Sequence, residues 1–550
     1  MTKDDPKIGK HVLDLLTTGM YKEPCLIYRE YIQNSADQID ELPPDERNDM
    51  NRCRIVIDID RTAARVTVTD NATGIPAQDF KARLLNVADS WKDPAKDKGF
   101  RGIGRLAGLA YCRKLIFESS AKGERIVSRM EMDGDEMRRI LRDRKDRCSA
   151  SELIQRISTI TQAEGDVPEW DCHFKVTLDG IIEAVGGGLL DVDGVRSLIE
   201  QIAPVPFSQT RFGKWKPQIE KFAESVGHPL ATYSITINGT TVVKPYKTRI
   251  NERNGSEMSQ IEDVVFHRIV APDGHLWGWA WAAVPDQGRS IVESQNPERQ
   301  LRLRKDNIQI GMADYFNGLD REGKPFFAEA RSNGYLLGEV HIVDPAIRPN
   351  ADRNDLEVSE VSAKFLKKLR ETLFTELWNA AREANTLTKA RENIDKYKAD
   401  LLAKKSKIED EALPFAGRSE MAASLEAAFR KAADSLIVLR KAKDKLHGVP
   451  DRNSTMELLR SSKTKDLAEL EQAVVAPPKP VAPPPSNHEN QDGKRNPNPK
   501  GPVPKPEPSR PRESLGDKIV KILTSKAGLE PETAMDVWVE IEKVLPGSAR

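Results

Sequence analysis

The stretch Arg29-Glu-Tyr-Ile-Gln-Asn-Ser-Ala-Asp37 lies in an apolar series at helical spacing, with Ile8, Val12, Leu15, Leu16, Cys25, Ile27, Tyr31, Ile32 and Ile39, closed by Pro43-Pro44. Glu30, Asn34 and Asp37 fall at i, i+4 and i+7 and so share one helix face. A carboxylate and a carboxamide one turn apart can hold a water and a hard cation side by side. A plain polar helix face is the competing reading.

Beyond this helix, Arg54-Ile-Val-Ile-Asp-Ile-Asp60 and Arg65-Val-Thr-Val-Thr69 alternate as β-strands and read as a hairpin. The second runs into Thr69-Asp-Asn-Ala-Thr-Gly-Ile75. Asp-x-x-x-Gly at a strand end can be a tight turn. It can equally place a buried carboxylate where it accepts from the exocyclic amine of adenine, with Gly74 letting the backbone approach the base. Next comes Lys98-Gly-Phe-Arg-Gly-Ile-Gly-Arg-Leu-Ala-Gly108, whose Gly99, Gly102 and Gly104 precede an apolar helical pattern. Glycines there expose N–H groups that can cradle phosphates. No Gly-Lys-Ser/Thr follows, so the run is not a Walker A loop.

In this order the three segments resemble the N-box, the Asp-x-x-x-Gly box and the glycine-rich lid of the GHKL ATPases, a superfamily that includes gyrase-type topoisomerases, heat-shock chaperones, histidine kinases, MutL and MORC proteins. The resemblance is carried by residues 8–110. It implies a Bergerat-type α/β sandwich that binds ATP with Mg²⁺. Glu30 would be the general base, Asn34 the Mg²⁺ ligand, Asp37 a support for the nucleotide, Asp70 the adenine reader, and Gly74 part of the base pocket. Gly99, Gly102 and Gly104 would wrap the phosphates. Ser90 and Lys92 look like the serine/lysine pair before the lid, although Trp91 intrudes between them. Thr177, on the strand His173-Phe-Lys-Val-Thr-Leu178, is expected to bond near Asp70.

The rest of the chain reads as an α+β multidomain protein: an ATP-binding domain at 1–205, a ribosomal-protein-like α/β transducer at 206–356, a helical or coiled-coil region at 357–475, a Pro-rich disordered linker at 476–512 and a small helical tail at 513–550. Transducer strands are expected at 233–243, 263–270, 275–284, 301–310 and 335–343. Trp277, Trp279 and Trp281 alternate, so they are expected on one strand face, as core. In relatives a basic transducer side chain reaches the γ-phosphate. Lys305 in Leu301-Arg-Leu-Arg-Lys-Asp-Asn-Ile-Gln-Ile310 is the first candidate and Arg304 the second, with Arg353 as an ion-pair partner.

The 550 residues carry 85 basic and 85 acidic side chains, so no global field favours nucleic acid or membrane. Five scattered cysteines and no apolar leader lead to the expectation of a reducing cytoplasm. The resemblance implies an ATP-dependent homodimer that acts on DNA or a protein partner, in a MORC-like genome-maintenance or anti-phage defence role. A heat-shock-type chaperone and a non-hydrolysing scaffold are the alternatives.

Overall fold

The computed structural model describes residues 8–17, 23–47, 53–87, 102–165, 172–252, 257–261, 263–286, 289–446 and 454–481. Residues 1–482 form one compact unit. A second, 483–550, holds the expected tail and most of the Pro-rich linker, and lies outside the described residues.

The first sheet grows from the expected hairpin. β1 (Arg54–Asp60) and β2 (Arg65–Asp70) pair antiparallel. Ile55, Ile57 and Ile59 on β1, with Val66 and Val68 on β2, turn inward, as period-two alternation demands. β3 (Cys112–Ser120), β4 (Ile126–Asp133), β5 (Ser158–Glu164) and β6 (His173–Ile181) extend it on one side. β7 (Ser234–Ile237) and β8 (Thr240–Thr241) extend it on the other. Among the described residues this is an eight-stranded sheet in the order β5-β4-β3-β6-β2-β1-β7-β8.

Helix α1 (Ile27–Asp40) lays Ile27, Tyr28, Tyr31, Ile32, Ala36 and Ile39 into the core under this sheet. The glycine run leads into a seven-residue 3₁₀ turn, Gly104–Ala110, rather than the α-helix its apolar pattern forecasts. Two glycines in seven residues weaken an α-helix, and both are held against side chains of α1. β7, expected as the first transducer strand, instead pairs parallel with β1. The first sheet thus takes strands from beyond the boundary expected at residue 205.

β9 (Arg249–Glu252) and β10 (Glu257–Gln260) form a separate two-stranded ribbon. The second main sheet contains β11 (Val265–Val270), β12 (Leu276–Ala283), β13 (Gln300–Lys305), β14 (Ile308–Ile310) and β15 (Leu337–Ile342), in the order β11-β12-β15-β13-β14. The single strand forecast over 301–310 is a hairpin. Asp306 and Asn307 both take left-handed φ, 53° and 58°, as a two-residue primed turn requires.

The tryptophan expectation also needs correction. The pairing of β11 with β12 shifts register between Ile269 and Val270, which pair with Gly278 and Leu276 and pass over Trp277. Trp277 then packs with Phe365 on one side of the sheet, while Trp279 and Trp281 pack with Phe207, Phe212 and Tyr246 on the other. All three are buried, as core.

The last described part is helical. α2 (Val192–Ile202) precedes the second sheet. After that sheet come α3 (Thr375–Glu409) and α4 (Phe415–Asp444), turned back on each other at Pro414 around Leu387, Ile394, Tyr397, Leu425 and Leu439. Of the two arrangements open to this region, the chain takes antiparallel helices. Arg391 grips Asp466 with two bonds of 2.6 Å, and Arg460 grips Glu383 at 2.6 and 2.9 Å, tying the following short helices to α3.

Candidate nucleotide site

The alternation of β2 puts a charged group on its apolar side. Val66, Val68 and Asp70 share the inward face, so a carboxylate occupies a core position and is 1% exposed. The Ser35 hydroxyl of α1 donates to its Oδ2 at 2.7 Å, and the Ala72 N–H to its Oδ1 at 3.2 Å. Burial pushes its carboxyl up to about 6, against those two hydrogen bonds. It is a buried acceptor with lone pairs to spare, which suits an amine donor. Gly74 has φ +65°, and a Cβ there would stand 2.2 Å from the Ser120 carbonyl oxygen. Only glycine fits that close approach. Next to it the Ile75 N–H donates to Ser119 Oγ at 2.7 Å, and the Cys172 thiol donates to the Ala72 carbonyl at 2.6 Å.

Along α1, Glu30 and Asn34 are half-buried and Asp37 is buried. Glu30 accepts from Arg29 Nε at 3.4 Å. A Cβ on Gly104 would lie 2.5 Å from Glu30 Oε2, so the lid backbone seats directly on this carboxylate. One residue further along α1, the Tyr31 hydroxyl accepts from the Gly108 N–H at 3.0 Å. Gly102 has φ +67° and turns the chain into this contact. Lys92 and Gly99, with Ser90, lie outside the described residues.

The seating predicts an effect on the site. Gly104→Ala pushes on the Glu30 carboxylate at 2.5 Å and on its Cβ at 3.2 Å, so it should lower the melting temperature by about 2–4 °C. If Glu30 serves ATP turnover, as the resemblance implies, the displaced carboxylate should slow it about tenfold. Thermal melts beside steady-state phosphate release check this; unchanged turnover would show that the Glu30 position does not matter.

One forecast contact, between Thr177 and Asp70, is not made. β2 pairs Asp70 with Phe174 of β6, whereas Thr177 pairs with Thr67. Three residues along a strand is an odd step, so Thr177 points to the opposite face of the sheet from Asp70. The basic pair on β13 is engaged elsewhere. Arg304 is sealed in the core: its Nε meets Glu339 Oε1 at 2.6 Å, and its Nη2 donates to the Gln201 carbonyl at 2.6 Å. Lys305 donates to the Asp344 carbonyl at 2.7 Å, and burial lowers its pKa.

Besides Arg29, a second basic group, Arg353, is placed where its charge and that of Glu30 act on each other. It sits in a left-handed backbone conformation (φ 50°) within a loop closed by the Pro349–Leu356 bridge. Burial lowers its pKa, and Glu30 is the leading charge that opposes the shift. Arg29 Nη2 donates to the adjacent Asp352 carbonyl at 2.7 Å, which binds this loop to α1. In the sequence, Ser35, Tyr31 and Arg29 stand out only as members of the α1 stretch. Nothing there singles out Phe174.

Among the described residues, no group of three His, Cys, Asp or Glu side chains is placed to hold a metal alone. The oxygen atoms of Glu30, Asn34 and Asp37 on α1 are of the type that suits a hard cation.

Residues 29–154 match the family described as histidine kinase-, DNA gyrase B-, and HSP90-like ATPase. The chaperone protein HtpG of Polaromonas naphthalenivorans (strain CJ2) is 27% identical over 130 residues, 20% of this chain and 21% of that protein. HtpG of Mycolicibacterium vanbaalenii is 26% identical over 181 residues, 29% of this chain and 25% of that protein. The chain thus spans about a fifth to a quarter of the length of these relatives. Among the described residues no helix is long and apolar enough to cross a membrane.

Proposed function

We propose, from the premise that residues 29–154 are a GHKL-type ATPase domain, that this chain hydrolyses ATP and uses the nucleotide state as a conformational switch. The observation that carries the reading is the Asp352-Arg353 loop, docked beside Glu30 through the Arg29 contact. A charged group from far along the chain thereby comes within electrostatic reach of a carboxylate on α1.

In this reading Asp70 accepts from the adenine amine, with Gly74 letting the base come close. Asn34 holds Mg²⁺, which neutralises phosphate charge when bound, and Asp37 supports the helix face around it. Glu30 orients and deprotonates the attacking water. Gly102 and Gly104, with Gly99 and Lys92, close over the phosphates. Arg353 supplies positive charge where the γ-phosphate develops negative charge. Loss of that phosphate releases the Arg353 loop, and with it the second sheet and the α3–α4 arm. The switch works as an ATP-dependent homodimer acting on DNA or a protein partner, in a MORC-like genome-maintenance or anti-phage role. The HtpG likeness supports a chaperone as the second reading.

The test is phosphate release and mass in solution. The wild-type chain should hydrolyse ATP and double its mass with a non-hydrolysable analogue. Arg353→Ala should lose about 30-fold or more in turnover, while Lys305→Ala stays within about threefold. No hydrolysis above buffer overturns the reading, and a larger loss at Lys305 than at Arg353 overturns the Arg353 assignment.

A further inference from the structure

One row of residues crosses the inner face of the first sheet: Ile55 on β1, Asp70 on β2, Phe174 on β6, Ser119 on β3 and Ser128 on β4, each paired with the next. Ile55, Asp70, Ser119 and Ser128 are all buried. Phe174 alone in this row is half-buried. Its ring lies against Phe117, with centroids 6.2 Å apart in a stacked arrangement. Directly paired residues on one sheet face have Cβ atoms about 5 Å apart, so Phe174 is the cross-strand neighbour of Asp70 on the inner face. On its other side the Ser119 hydroxyl is already used: it donates to the His173 carbonyl at 2.9 Å and accepts from the Ile75 N–H at 2.7 Å. The wall beside Asp70 is therefore apolar, since a phenyl ring brings neither donor nor acceptor.

We propose that Phe174 is the specificity-determining wall of the nucleobase pocket, packing on the base while its amine edge meets Asp70 and keeping water from that carboxylate. This rests on the ATP-binding reading above. A base with an amine beside Asp70 satisfies the carboxylate. A 6-keto purine sets oxygen against oxygen, and an aromatic wall leaves no room for a bridging water to relieve the clash. A small polar residue at this position would admit that water and blur the distinction. The burial that raises the Asp70 carboxyl fits a wall that excludes solvent.

The experiment is calorimetric binding of ATP and of ITP, its 6-keto counterpart, to the full chain across pH 5 to 8. The variants are Phe174→Ala, Phe174→Thr and Phe174→Leu. In wild type ATP should be preferred by about 100-fold or more. Phe174→Ala and Phe174→Thr should weaken ATP about tenfold and narrow the preference at least about fivefold. They should also move the acid midpoint of ATP binding downward, because water reaches Asp70. Phe174→Leu, which keeps an apolar wall, should restore most of the preference, and it guards against a variant that fails to fold. Unchanged preference and midpoint in folded Ala and Thr variants overturn the proposal. A wild-type chain that binds neither nucleotide overturns the parent reading instead.

Discussion

Glu30→Ala should bind ATP within about threefold of wild type yet lose turnover by about 10²–10⁴, the usual worth of a positioned general base. The separation follows from the geometry. Base recognition is assigned to Asp70, Gly74 and the end of β2, whereas Glu30 lies on α1 beneath the Gly104 backbone. Removing its carboxylate leaves Arg29 anchored by its 2.7 Å bond to the Asp352 carbonyl, so the loop that carries Arg353 keeps its attachment. Glu30→Gln should behave like Glu30→Ala, since an amide matches the shape but takes no proton. Calorimetry with a non-hydrolysable analogue, beside steady-state phosphate release, reads both quantities. Turnover that survives in both variants refutes the base assignment and leaves Glu30 as a partner of Arg29 only.

Asp70→Asn should weaken ATP binding by about 100-fold, the scale of one hydrogen bond to a charged group plus a mismatched donor, while the protein itself becomes more stable. The sign follows from the raised carboxyl. Its ordinary value is 3.8 and burial lifts it to about 6 in the folded chain. Such a group favours folding most below 3.8, and loses that contribution as pH rises through about 6. At pH 7 the ionised, buried Asp70 therefore costs the native state about 3 kcal/mol. Asparagine removes that cost and still accepts from Ser35. The stability gain should shrink on going from pH 7 to pH 4. ATP binding by wild type should weaken as pH falls through about 6, because the ionised carboxylate is the stronger acceptor for the amine and the protonated one adds a competing O–H donor. Melting curves and binding isotherms over this range decide it. A variant that is less stable at pH 7 would mean the carboxylate is a structural anchor.

The legible parts of the site are those written in local spacing. Glu30 and Asn34 share a helix face because 3.6 residues make a turn. Asp70 ends an alternating strand, and its place after Val66 and Val68 sends it inward without further information. Gly74 and Gly102 announce themselves because left-handed backbone excludes most other residues. Thr177 is different: choosing the partner of Asp70 needs the β2–β6 register, and one odd step reverses the face. Trp277 leaves its two companions for a related reason, an irregularity in the pairing of β11 with β12. Lys305 and Arg304 look like a phosphate-reaching pair because both are basic. Their actual partners, Asp344 and Glu339, lie more than thirty residues along the chain.

The elements that depend on near neighbours are legible in the chain alone: the Glu30 helix and the β1–β2 hairpin, with the Asp70–Gly74 segment open between a tight turn and a buried carboxylate. Their causes are periodicity, side-chain branching and backbone sterics, all acting within a few residues. That β7 joins the first sheet, that Phe174 is paired with Asp70 and that the Asp352-Arg353 loop is tied to α1 through Arg29 are long-range outcomes of folding. These depend on which distant strands pair and in what register, a choice set by the burial of whole faces at once rather than by any one segment.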